Sequence, residues 1–201
     1  MKDPNKNPFE IESIDSGVII RFVRPEIRNP LSIRTLEMLA EELLEFEENP
    51  DISTIIFTGS GTTFAAGADL KEIAKLNGET AREFGLRGQN LMRGIYHSNK
   101  NMIAAVDGFC MGGALDLALA CKSRIASPRS VFAHPGVNLG IITGWGGTQM
   151  LPRLIGESRA LELVLTGRQI GADEALLFGL IDKIENNPVA SSVSKLSESD
   201  L

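Results

Sequence analysis

Two stretches of the chain place glycine where a strand gives way to a helix. They are Phe64-Ala65-Ala66-Gly67-Ala68-Asp69 and Gly108-Phe109-Cys110-Met111-Gly112-Gly113. Glycine permits positive φ and close backbone approach. The first amides of a helix have no intrahelical partner and lie at the positive end of its dipole. Such a site holds an anion or a developing oxyanion. Two of them, each after a buried-type strand, can aim two N–H groups at one oxygen. On spacing alone, a pair of tight turns is an equal reading. Asp116 falls in the first turn of the second helix, where the dipole favours a carboxylate with or without a chemical role. His134 offers an imidazole that works as acid or base near neutral pH, or else a half-buried ring bonded to backbone. Cys110 can be drawn as a nucleophile with His134, or as a small buried apolar group. Two histidines and two separated cysteines make no metal-ligand set.

The elements that must position these residues follow from pattern. FEIESI and GVIIRFV, around Asp15-Ser16-Gly17, read as a β-hairpin. Arg24 to Pro30 reads as loop. From Ser32, a plausible N-cap, Ile33, Leu36, Leu39, Ala40, Leu43 and Leu44 recur at helical spacing until Asn49-Pro50. STIIFTG and MIAAVDG are buried-type strands, SRIAS and SVFA short ones, and LIDKI a last one. ALDLALAC has the composition of a buried helix. Thr80 to Asn99, Gly147 to Ile155, Ser158 to Thr166 and Ala172 to Phe178 read as further helices. Strands alternating with helices predict an α/β fold.

The 201 residues carry 43% apolar and 23% charged side chains and a net charge of −6, which excludes a wholly disordered chain. No run approaches the ~18 apolar residues of a membrane span. MKDPNKNPFE lacks the apolar stretch of a secretory signal, so the cytoplasm is expected. The acidic balance, without a basic cluster, counts against nucleic acid as partner. Two cysteines exclude a disulfide framework. Residues 1–8 read as a flexible tail, 9–185 as one core, and 186–201 as a short polar tail.

FAAGADLKEI, AAVDGFCMGGALDLALAC, GGTQMLPRLIG and LTGRQIGADEALLFGLID, in that order, resemble the crotonase superfamily, the enoyl-CoA hydratase/isomerase group. The resemblance implies a spiral of repeated β-β-α units acting on an acyl-CoA thioester through an enolate, as a lyase or isomerase. Coenzyme A enters as part of the substrate, and no prosthetic group is implied. By motif position the two oxyanion donors are the amides of Ala68 and Gly113. The coenzyme contacts fall on Ile27, Arg28 and Pro30 of the Arg24–Leu31 loop, on Ala66, and on Ala68, Asp69, Leu70 and Lys71, with Lys71 as the phosphate-side cation. Hydratases of this group carry two glutamates; here the first position holds Asp116 and the second Gly136. A one-carboxylate reaction, isomerisation or decarboxylation, is therefore expected over hydration, with His134 as the other nearby titratable group. Glutamate at position 136 is expected to restore the pair. The alternative is a weak or inactive acyl-CoA-binding protein. A homo-oligomer, a trimer or dimer of trimers, is implied as well. Relatives continue into further helices, whereas the polar stretch NNPVASSVSKLSESDL is not expected to build a helical layer with an apolar face.

Overall fold

The structure, a computed structural model, describes residues 7–198. The expected loose tail at residues 1–6 lies outside the described residues. Pro8 does not belong to a tail: it is buried and its carbonyl accepts from the Val23 amide at 3.1 Å. β1 (Phe9–Ile14) and β2 (Gly17–Phe22) form the expected antiparallel hairpin. The Arg24–Pro30 segment is a 3-10 turn over Pro25–Ile27 that leads into β3 (Pro30–Leu31). α1 (Ile33–Glu48) starts where expected, the Ser32 hydroxyl accepting from the Thr35 amide at 3.2 Å.

Three strand–strand–helix turns follow. The first runs through β4 (Thr54–Thr58), β5 (Thr63–Ala65), β6 (Gly67–Ala68), α2 (Leu70–Ile73) and α3 (Gly78–His97). The second is β7 (Asn101–Val106), β8 (Phe109–Met111) and α4 (Gly113–Ala120), and the third is β9 (Ser123–Ala126), β10 (Val131–Ala133) and α5 (Gly147–Ile155). α6 (Glu157–Thr166), β11 (Ile170–Gly171), α7 (Ala172–Phe178) and β12 (Lys183–Ile184) come next. Each turn gives its first strand to one sheet, ordered β1-β2-β4-β7-β9-β12, and its second to another, ordered β11-β10-β8-β5. β2, β4, β7, β9 and β12 run parallel, as do β5, β8 and β10. This is the crotonase-like spiral of β-β-α units.

The larger sheet is covered on both faces, which is why β4 and β7 read as nearly continuous apolar runs. Strand side chains alternate between faces. Ile20, Ile55, Phe57, Met102 and Ala104 join the main core with Leu36, Leu39 and Leu91 of the helices. Ile19, Ile56, Ile103 and Ala105 point the other way, and Val189 and Val193 pack on them. Those valines belong to α8 (Pro188–Glu198), which corrects the reading of this stretch as a polar tail; residues 199–201 of that expected tail lie outside the described residues. Their i, i+4 spacing makes a narrow apolar stripe. Ser192 between them is fully buried and returns its hydroxyl to the Pro188 carbonyl at 2.7 Å, so its polarity is spent inside the helix. The many serines hid this stripe from a composition-based reading. Among the described residues no helix is long and apolar enough to cross a membrane.

Candidate active site

β6 meets the start of α4 at van der Waals distance. Gly67 has φ +87°, and a Cβ there would fall 2.5 Å from the Met111 carbonyl oxygen and 2.9 Å from the Gly113 nitrogen. Only glycine permits this approach. Gly112, with φ 54° and ψ −122°, turns the chain from β8 into α4. Gly113 is the first residue of α4, so its N–H has no intrahelical acceptor. Ala68, the residue after Gly67, is half-buried beside it. The two glycine loops, read separately from the sequence, thus share one place. They are tight turns, and the turns bring the Ala68 and Gly113 backbones together.

The expected coenzyme segments are joined by a residue that sequence reasoning missed. Asn29 is 2% exposed and has φ 49°, a conformation that Asn tolerates better than most side chains. Its amide group donates to the Thr63 and Phe64 carbonyls at 2.8 and 3.3 Å, and its side-chain oxygen accepts from the Arg24 amide at 2.7 Å. The Ala66 amide donates to the Arg28 carbonyl at 2.9 Å, and Pro30–Leu31 pairs with Gly67–Ala68. Ile27, Arg28, Pro30, Ala66 and Ala68 therefore lie on one stitched surface. Asp69 spends its carboxylate on capping α2, accepting from the Lys71 amide at 2.8 Å. Leu70 and Lys71 are exposed. Glu72 reaches across to accept from the Ile33 amide at 2.7 Å, which fixes α2 to the start of α1.

Asp116 does not line an open pocket. It is 0% exposed, with Oδ2 accepting from the Thr143 hydroxyl and from the Trp145 amide at 3.3 Å. Oδ1 lies 3.6 Å from His134 Nε2 and lacks a hydrogen-bond partner, as do both imidazole nitrogens. His134 is itself 3% exposed, deeper than a half-buried ring. Burial pushes the Asp116 carboxyl up to about 6, against the lowering effect of Thr143 and the Trp145 and Gly147 amides. Burial also pushes the His134 imidazole down to about 4. Gly147, at the head of α5, leaves room for both: a Cβ there would collide with Asp116 Oδ1 and lie 2.9 Å from His134 Nε2.

Gly136 sits in a 3-10 turn over Pro135–Leu139, and its carbonyl accepts from the Ile141 amide at 3.0 Å. A Cβ at 136 would stand 2.8 Å from the Ile141 carbonyl oxygen. The position does not admit a side chain as it stands, because the Ile141 carbonyl lies too close to where its Cβ would go. Cys110 is fully buried, and desolvation raises its thiol well above the ordinary value, so it is no nucleophile. Among the described residues no cluster of His, Cys, Asp or Glu is arranged to hold a metal ion.

A two-sheet β-β-α spiral in which two glycine loops meet at a helix start defines a class of fold. Comparison with known proteins gives that class its family. Residues 13–195 match the family model described as enoyl-CoA hydratase/isomerase. The chain is 40% identical over 175 residues to a crotonyl-CoA hydratase of Syntrophomonas wolfei, covering 87% of this chain and 67% of that protein. It is 40% identical over 179 residues to a short-chain-enoyl-CoA hydratase of Clostridium acetobutylicum, covering 89% and 69%. The crystal structure of an enoyl-CoA hydratase from Bacillus anthracis superposes with a TM-score of 0.90 at 35% identity, over 96% of this chain and 76% of that one. The chain belongs to the enoyl-CoA hydratase/isomerase family. It spans about two thirds of the length of those curated relatives.

Proposed function

We propose that the chain binds an acyl-CoA thioester on the stitched surface of Ile27, Arg28, Pro30, Ala66 and Ala68, with Lys71 facing the phosphates. The Ala68 and Gly113 amides receive the thioester oxygen. The observation that carries this reading is the 2.9 Å approach of the Gly67 Cβ position to the Gly113 nitrogen. When an enolate forms, charge moves onto that oxygen, and each fixed donor is worth ~3–4 kcal/mol there. Asp116, one helical turn beyond Gly113 and titrating at about 6, gives or takes the proton near neutral pH. With glycine at 136, the proton work falls to one carboxylate, which favours double-bond isomerisation or decarboxylation over hydration. The complete burial of Asp116 favours a second reading, in which the protein binds thioesters without turning them over. Exposed Leu161 and Leu165 on α6 and Leu176 and Leu177 on α7 support a homo-oligomer, which light scattering across concentrations tests.

A panel of acyl-CoA esters incubated in deuterated water and read by mass spectrometry separates the cases. Hydration adds water, isomerisation incorporates deuterium without it, and decarboxylation loses carbon dioxide. Asp116→Asn keeps size and removes the exchangeable proton, so it abolishes turnover and spares coenzyme affinity. Binding without turnover selects the second reading. No binding at millimolar ligand overturns both.

A further inference from the structure

The chain has one tryptophan, and its indole is a wedge between two helices. Trp145 is 4% exposed although it lies in a glycine-rich loop. Its pyrrole edge, Cδ1 and Nε1, abuts Gly88 of α3, and its benzene edge, Cζ3 and Cε3, abuts Gly113 of α4. A Cβ at either glycine would come within 3.0 Å of the ring, so neither helix admits a side chain where the indole sits. Phe84, one turn from Gly88, closes the slot with its ring centroid 5.3 Å from the indole. The loop end of the wedge is pinned as well: the Trp145 amide and the Thr143 hydroxyl both bond Asp116 Oδ2. Gly85 and Gly94 of the same helix meet nothing, so Gly88 is the glycine of α3 whose missing side chain makes room for Trp145.

We propose that Trp145 is a positioning residue for the Gly113 oxyanion donor. Gly113 has no side chain to fix it, its predecessor Gly112 has φ 54°, and its amide has no intrahelical acceptor. The indole supplies the missing restraint by packing directly on Gly113. Asp116, three residues further along α4, holds the loop that carries the wedge, so donor and carboxylate are set by one unit. In this role Trp145 acts through the Gly113 backbone, on which its benzene edge packs. This inference rests on the reading of Gly113 as a thioester donor.

The test reads the donor itself. Crotonyl-CoA labelled with carbon-13 at the thioester carbonyl is bound to the full chain, and its carbonyl stretch is recorded by infrared difference spectroscopy. The parent is expected to lower the stretch, Trp145→Ala to lose most of that shift, and Trp145→Phe to keep part of it. Gly88→Ala, on α3 at the pyrrole edge of the indole, is expected to reduce the shift by displacing the ring. Affinity for coenzyme A alone is expected to stay within ~3-fold in every variant. Where turnover is measured, kcat falls ~10²-fold in Trp145→Ala with little change in KM, the size expected of a misplaced donor. Trp145→Phe and Gly88→Ala stand in if the alanine variant does not fold. A full carbonyl shift in Trp145→Phe and Gly88→Ala overturns the inference and leaves the thioester reading intact. A parent that binds crotonyl-CoA without any shift overturns both.

Discussion

Asp116→Asn and His134→Gln are expected to tilt the pH dependence of stability in opposite directions. Asp116 titrates at about 6 in the fold against an ordinary 3.8. At pH 7 both folded and unfolded states hold it ionised, and the folded state carries the full cost of the buried charge. One pH unit corresponds to ~1.4 kcal/mol, so that cost is about 3 kcal/mol, relieved as pH falls through 6 toward 3.8. His134 titrates at about 4 against an ordinary 6.5. At pH 7 it is neutral in both states and costs nothing. As pH falls through 6.5 the unfolded chain takes a proton that the fold refuses, and about 3 kcal/mol is lost by pH 4. In the parent the two effects nearly cancel. Relative to the parent, Asp116→Asn therefore loses about 3 kcal/mol between pH 7 and pH 4, and His134→Gln gains about as much. Urea midpoints at half-unit pH steps, with the slope m checked for constancy, measure both differences. Differences that do not vary with pH would mean that neither group is desolvated. Slopes of the reverse sign would mean that the pair is held as an imidazolium–carboxylate ion pair, and either result refutes the reasoning.

Gly136→Glu is expected to leave crotonyl-CoA hydration unimproved and to destabilise the chain by ~1–3 kcal/mol, because its Cβ must displace the Ile141 carbonyl; a gain in hydration, followed by loss of the enoyl thioester absorbance, would refute this. Val193→Asp places a charge against Ile19, Ile56 and Ile103, and a loss of ~2–4 kcal/mol by urea denaturation is expected, whereas an unchanged midpoint would show that α8 is not docked. Asn29→Ala unpins the Arg24–Leu31 loop from β5, and calorimetry with coenzyme A is expected to show affinity down ~10-fold while the fold survives. Titration with crotonyl-CoA is expected to change the fluorescence of Trp145, which packs on Gly113, and a silent titration at saturating ligand would place the thioester elsewhere.

Much of this protein is written in short-range pattern. Ser32 caps α1, Gly147–Ile155 and Ala172–Phe178 are helices at the expected bounds, and the Asp15-Ser16 turn closes the hairpin. Capping, periodicity and turn chemistry act over a few residues, so they are legible without the fold. The glycine pairs were legible too, as positions that need unusual φ. What they do together was not, since Gly67 and Gly113 meet only after β5 and β8 pair in parallel. The same holds for Asn29, whose acceptors lie 34 and 35 residues away. Two readings turned on neighbours distant in sequence: the burial of Asp116 under Thr143 and Trp145, and the docking of α8 on Ile56 and Ile103. A third, the approach of Ile141 to Gly136, turned on the path of one loop that no local pattern specifies. Residue types along the chain determine which chemistry is on offer. Burial, desolvation and the space left at a glycine depend on atoms that only the tertiary structure brings within contact distance, and these decide which groups can use it.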